Sequence, residues 1–357
     1  MVADRVSSIV TQRHVRHVDP VLATHATGLV AEVYRQVAEE MRLVIPPAML
    51  HSPSPEVLAA YWALIREPLM PPGRAGRLVK EAVAAAVAVA STCPYCTDMH
   101  TVGLYELSGE RDAEAIGGDH LGEITDARLR QIVAWARGAH RDGGPPLPPG
   151  IAAAERAELI GVVVGFHYLS RMVNVFLTGS LLPPRLSPRS RRRLKRGLSY
   201  VMKPSVRGDH PAGRANGLLP PAPPRPDLAW AGDSPVLADA VARAFGVFEL
   251  AGERSLDVAV RRLVLDRLDD WAGEDTGLST GWCEDLVGEL PPAPRAAARL
   301  ALLTALASHQ VTDRAVEEFR RHHPGDRRLI DATAWASAAA AARVGARHNG
   351  AVRADTA

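Results

Sequence analysis

From Leu78 to Ala90 the chain is almost wholly Ala and Val, with neither Gly nor Pro, and this run ends at a proline that a helix interior does not tolerate. A stretch of that length with no breaker reads as a buried helix in spite of its β-branched valines. Pro94 has no N–H to donate, and its ring collides with the carbonyl four residues back, so one helix is expected to end near Ser91 and a second to begin with Pro94 in its first turn. Ser91 or Thr92 is placed to cap that second helix. Any fold for this chain has to accommodate two helices meeting at a sharp corner.

Four chemically capable residues sit on that corner: Glu81, Cys93, Cys96 and His100. Cys96 and His100 are four apart and Cys93 and His100 seven apart, so all three share roughly one helix face. In one straight helix Glu81 would lie about 18 Å from Cys93, but an antiparallel hairpin brings His100 about 10 Å back toward it, within reach of a water-bridged contact. A cysteine at a helix N-terminus is stabilised as thiolate by unpaired N–H groups, and a nearby imidazolium adds to this. By that argument Cys93 is the more acidic thiol. The competing readings are a zinc half-site and two inert core thiols. Zinc wants about four protein ligands, and the third cysteine, Cys283, stands alone in a distant segment.

Length and composition fit a helical protein. At 357 residues, two domains or two repeats are the better expectation than one compact unit. Apolar residues make up 47% and aromatics only 5%, with Ala dominating the apolar runs, which favours closely packed helices and an all-α fold. A formal charge of +2 gives no reason to expect a nucleic-acid partner. The N-terminus lacks a secretory h-region and no run reaches the ~20 apolar residues of a membrane span, so a cytoplasmic location with no membrane partner is expected. Three cysteines are too few for a disulfide framework.

Four segments follow along the chain. Residues 1–24 read as a loose arm, with His14 and His17 as surface residues. Residues 25–180 carry helices over GLVAEVYRQVAEEM, over PEVLAAYWALIREPLM with Tyr61 and Trp62 as core, over the Cys-x-x-Cys corner up to a stop at Gly109, within Ala113–Gly138, and over ERAELIGVVVGFHYLSRMVNVFL. PPAMLHSPSP reads as a loop. On the last helix His167 is either a satisfied core histidine or part of a pocket wall around the thiols. Residues 181–235 hold seven Arg/Lys between Arg185 and Arg196 and then a Pro-rich stretch, and read as a solvated linker. Residues 236–357 repeat the first half in outline, PVLADAVARAFGVFEL standing for GLVAEVYRQVAEEM. Setting Ser308 on Ser91 puts Gln310 at Cys93, Asp313 at Cys96, Glu317 at His100 and Ala298 at Glu81, so every reactive position has changed.

The pattern of a Glu, a Cys twelve residues on, a second Cys three further and a His four beyond resembles the core of the AhpD-like alkylhydroperoxidases, in the carboxymuconolactone decarboxylase superfamily. The resemblance implies an all-α fold and peroxidase chemistry without a cofactor or metal. Cys96 would attack the peroxide and Cys93 resolve it to a disulfide, with Glu81 and His100 relaying the proton. A small organic peroxide would be the substrate and a lipoylated or thioredoxin-like dithiol protein the reductant. Single-repeat relatives obtain by oligomerising an interface that a second, degenerate repeat would supply here, and a homo-oligomer is still expected. Pro94 and Tyr95 depart from relatives with a small residue and a second His between the cysteines. A decarboxylase and a non-catalytic redox sensor or scaffold are the alternative functions. The cysteine pair counts against the first.

Overall fold

The computed structural model describes residues 14–183 and 185–349, so most of the expected N-terminal arm lies outside the described residues. Among the described residues there are fifteen α-helices and several 3-10 turns, with a lone β-bridge between Val15 and Leu177. The fold is all-α, as expected. α1 (Gly28–Met41), α2 (Pro46–His51) and α3 (Pro55–Leu69) are followed by the corner, α4 (Arg77–Ala90) and α5 (Pro94–Leu107). Then come α6 (Glu110–Gly117), α7 (Ala127–Gly138), α8 (Ala153–Phe176) and α9 (Pro188–Val206). The second half holds α10 (Pro235–Ser255), α11 (Val258–Asp269), α12 (Gly281–Val287), α13 (Pro292–Ala307), α14 (Asp313–His322) and α15 (Asp326–Ala346).

The core is a layer of four helices, α3 and α8 from the first half against α10 and α15 from the second. Missing side chains let them approach. Pro68 has no N–H, which frees the Leu64 carbonyl one turn back, and Gly165 of α8 lies so close that a Cβ there would stand 3.0 Å from that oxygen. Gly252 of α10 lies flat against the buried Trp335 ring of α15, where a Cβ would come within 2.3 Å. α10 packs on α15 as α3 packs on α8. By length and composition α8 is apolar enough to cross a bilayer, against the sequence expectation, yet 94% of its most apolar window is buried inside the protein.

Outside this layer, α4 packs on α8, α5 on α4, and α9 covers α5. The expected linker is therefore corrected: 188–206 form a 19-residue helix. The basic run that read as solvated has acidic partners one layer below. Arg191 pairs with Asp98 at 2.9 Å, Lys195 with Glu114 at 2.8 Å, Lys203 and Arg207 with Glu106 at 3.1 and 2.6 Å, and Arg196 with Glu110. Linear inspection missed this because the partners lie some eighty to a hundred residues away. PPAMLHSPSP likewise holds the short α2, started by Pro46 and Pro47 in its first turn. The arm is not loose from His14 onward, since Arg16 donates to the Asn174 and Val175 carbonyls at the end of α8.

The chain after α9 is anchored by a buried ionic cluster. Arg66, fully buried on α3, donates to Glu40 of α1 and to the neighbouring Glu67. Glu67 accepts from the backbone N–H groups of Gly213 and Ala215, and Arg214 adds a second bond to Glu40. Arg66→Met should cost about 3–5 kcal/mol of unfolding free energy in a urea titration, because two carboxylates lose their buried cation.

Candidate functional site

The corner forms as the proline dictates, with one difference in its cap. Ser91 closes α4, Thr92 takes a left-handed φ of +50°, and Cys93 itself is the N-cap of α5, its Sγ accepting the Cys96 N–H at 3.4 Å. The expected caps, Ser91 and Thr92, instead supply the turn.

Folding α5 back along α4 brings His100 onto Glu81. The contact is direct, with no bridging water needed: His100 Nδ1 lies 2.6 Å from Glu81 Oε2. Arg77, one turn before Glu81, holds the other carboxylate oxygen at 2.9 Å through Nε and 2.8 Å through Nη2. Burial alone would raise the Glu81 carboxyl, but Arg77 and His100 outweigh it and bring it down to about 2. The carboxylate is ionised and accepts, so Nδ1 of His100 carries the proton and Nε2 is the nitrogen left for chemistry.

Glu81, His100, Cys96 and Tyr95 all border one cavity of about 530 Å³, whose remaining wall is almost wholly apolar. Trp62 and Leu69 come from α3, Phe166 from α8, and Leu198 and Met202 from α9. Phe166 also meets the His100 ring edge-on at 4.5 Å between centroids, fixing its plane. Tyr61 and Trp62, expected as core, are buried and line this cavity as well. Cys93 is buried behind the turn and does not border it.

Burial pushes the Cys96 thiol well above its usual range, and the adjoining Cys93 thiol pushes it further. The Ser170 hydroxyl on α8, buried and without another partner, opposes the shift. Tyr95 is buried with its hydroxyl unpartnered, and burial raises that phenol far above its usual value, so it is a neutral donor. Sequence reasoning missed Ser170, Tyr95 and Arg77. Arg77 carried a signal in its four-residue spacing from Glu81, whereas Ser170 reaches the thiols only through packing. His167 is the buried, hydrogen-bonded histidine of the first reading, accepting from Arg171 at 3.1 Å; it borders a different cavity and not the wall around the thiols. Among the described residues no group of three or more His, Cys, Asp or Glu side chains is arranged to hold a metal ion.

A helical chain with a Cys-x-x-Cys pair over a carboxylate–imidazole contact defines a protein of the AhpD-like class. No protein-family model matches the chain. It is, however, 39% identical over 334 residues to a protein named alkyl hydroperoxide reductase Rv2159c in Mycobacterium tuberculosis, covering 93% of this chain and 94% of the relative. The chain belongs to that family of alkyl hydroperoxide reductases.

Because the Glu81 carboxyl falls from 4.5 to about 2 on folding, its stabilisation is complete above pH 4.5 and is lost as pH falls toward 2. Acid titrations of the wild type and Glu81→Gln should differ by about 3 kcal/mol near pH 6, and the difference should shrink steadily below pH 4.5.

Proposed function

We propose that this chain is a thiol-dependent organic hydroperoxide reductase in which Cys96 attacks the peroxide and Cys93 resolves the product. The observation that carries the reading is the shared border of Cys96, His100 and Glu81 on one apolar cavity. Cys93 spends its sulfur as a helix cap away from the cavity, which supports Cys96 as the nucleophile against the helix-terminus argument from sequence. The relative's name, alkyl hydroperoxide reductase, agrees with it.

In this reading Cys96 gives its proton to Nε2 of His100 as the sulfur attacks the terminal peroxide oxygen. The O–O bond breaks, Cys96 keeps the hydroxyl as a sulfenic acid, and the alkoxide leaves as an alcohol after taking the proton, with the Tyr95 phenol as its hydrogen-bond donor. Cys93 then attacks the Cys96 sulfur, the S–S bond forms, and the hydroxyl departs as water with the Cys93 proton. A lipoylated or thioredoxin-like dithiol protein returns two electrons by exchange. This cycle calls for a reducing, cytoplasmic compartment.

The second half is read as a copy that has lost the chemistry. Thr312 caps α14 by accepting the Ala315 N–H, as Cys93 caps α5 by accepting the Cys96 N–H. In that register Thr312 stands at Cys93, Ala315 at Cys96 and Phe319 at His100, two residues beyond the positions from sequence, because a 3-10 turn at Ser308–Gln310 lengthens the corner. Ala298 keeps the Glu81 position. The interface of α3 with α10 and of α8 with α15 then supplies within one chain what single-repeat relatives gain by oligomerising, and the homo-oligomer expected from sequence is part of the same proposal.

A slow dithiol sensor is the second reading, favoured by the raised Cys96 thiol. Stopped-flow oxidation of the reduced protein by cumene hydroperoxide decides between them. The fast phase should vanish in Cys96→Ser and end in a dimedone-reactive sulfenic acid in Cys93→Ser. An unchanged rate in Cys96→Ser sinks the peroxidase reading. The thiolate fraction of a thiol held above its ordinary 9 grows with pH, so the oxidation rate should still be climbing at pH 9. Tyr95→Phe, which removes one hydrogen bond from the leaving oxygen, should slow the reaction about tenfold with little change in stability.

A further inference from the structure

Across the Ser91–Thr92 turn from the thiols lies a second cavity, of about 410 Å³, between the two halves of the chain. Its inner wall carries Arg171 and His167 of α8, together with His140 just after α7. Arg171 is nine-tenths buried, and its hydrogen bonds go to neutral acceptors: the Ala305 carbonyl, the His167 carbonyl and His167 Nδ1. No described carboxylate pairs with it. An arginine only donates, so His167 Nδ1 is the acceptor and its Nε2 carries a hydrogen that finds no partner, although the ring is 2% exposed. His140 Nδ1 is likewise buried and unpartnered. Buried charges without a counter-charge are costly enough that they are rarely kept without a use.

We infer that this cavity binds a small phosphate-bearing molecule, its dianion taken up by Arg171, His167 and His140. Two rim arginines add to the field. Arg137 and Arg141 border the same cavity, paired at the surface with Asp119 and Asp275. The rim carboxylates are already engaged, Asp275 by Arg141 and Glu274 by Arg267. Three arginines, Arg137, Arg141 and Arg171, face two carboxylates, Glu274 and Asp275, in the lining, which leaves it net positive; burial followed by those arginines brings His140 down to about 4, and burial and Arg171 depress His167 too. A planar carboxylate would want a free two-pronged guanidinium edge, but Arg171 has already committed Nε and Nη1. Donors converging from α8 and from the segment after α7 suit a tetrahedral anion better. Trp271, Leu306 and Val89 leave an apolar remainder for the body of an ester. This site is independent of the proposed peroxidase chemistry.

Thermal unfolding of the full chain tests the site, with inorganic phosphate, glycerol 3-phosphate and acetate added at ionic strength matched by chloride. Phosphate or glycerol 3-phosphate should raise the Tm by on the order of 2 °C or more once well above its Kd, and acetate should not. The rise should be lost in Arg171→Met and at least halved in His140→Asn. If Arg171→Met does not fold, His140→Asn and Arg141→Ala decide. No rise over chloride, an equal rise with acetate, or an undiminished rise in these variants overturns the assignment. A response to the ester but not to inorganic phosphate supports it and identifies an organic phosphate as the source.

Discussion

A carboxylate and an imidazole from two different helices meet at 2.6 Å in the interior, and the geometry of the whole site depends on that contact. It requires the chain to reverse between Ala90 and Pro94, which it does through a left-handed threonine and a cysteine that caps its own helix. It also requires Glu81 to stay charged although fully buried. Two donors on one carboxylate achieve this: Arg77 from its own helix and His100 from across the corner. Remove either and burial would favour the protonated acid, which holds the imidazole far less firmly. The orientation of His100 toward the cavity is thus a consequence of an electrostatic balance set four residues before Glu81.

The helix over the site makes use of charge differently. α9 is strongly basic, yet its cations face the acidic edge of α5 and α6, and its Leu198 and Met202 close the apolar cavity. Individually such partly exposed pairs contribute little. Several along one helix set its register, and the register decides which apolar side chains lie over Cys96. The same segment that looks like a tether in the linear sequence is a wall of the pocket.

What was legible from sequence was local. The Ala/Val run, Pro94 and the four-residue step from Cys96 to His100 fixed the two helices and their shared face, because these signals act within a turn or two. What was illegible depended on partners far along the chain. Nothing near Arg191 or Lys195 announces Asp98 or Glu114, so composition argued for a solvated linker where the fold has an ion-paired helix. His167 was ambiguous for the same reason: helical spacing puts it one residue from Phe166, and only the positions of α4 and α13 decide which cavity each side chain meets. In the second half, Ala-rich helices match one another readily, so composition alone does not fix a register between the halves, and the proposed one rests on the Thr312 and Cys93 caps.

Cys96 presents the sharpest physical tension in the molecule. The burial that would exclude water from a peroxide reaction also makes the thiolate expensive. A helix N-terminus relieves this less than the sequence alone implies, since the Cys96 N–H is already spent on the Cys93 sulfur. In the proposed peroxidase cycle, relief has to come from groups that act during the attack: the Ser170 hydroxyl beside the sulfur, and a histidine whose far nitrogen Glu81 would keep ready as a base. A nucleophile held as a thiol until substrate fills an apolar cavity is protected from idle oxidation, at the expense of speed toward small peroxides that bind there weakly. On this argument burial of the sulfur and dependence on the Glu81–His100 pair are one property, because a thiol that ionised by itself would have no need of the pair.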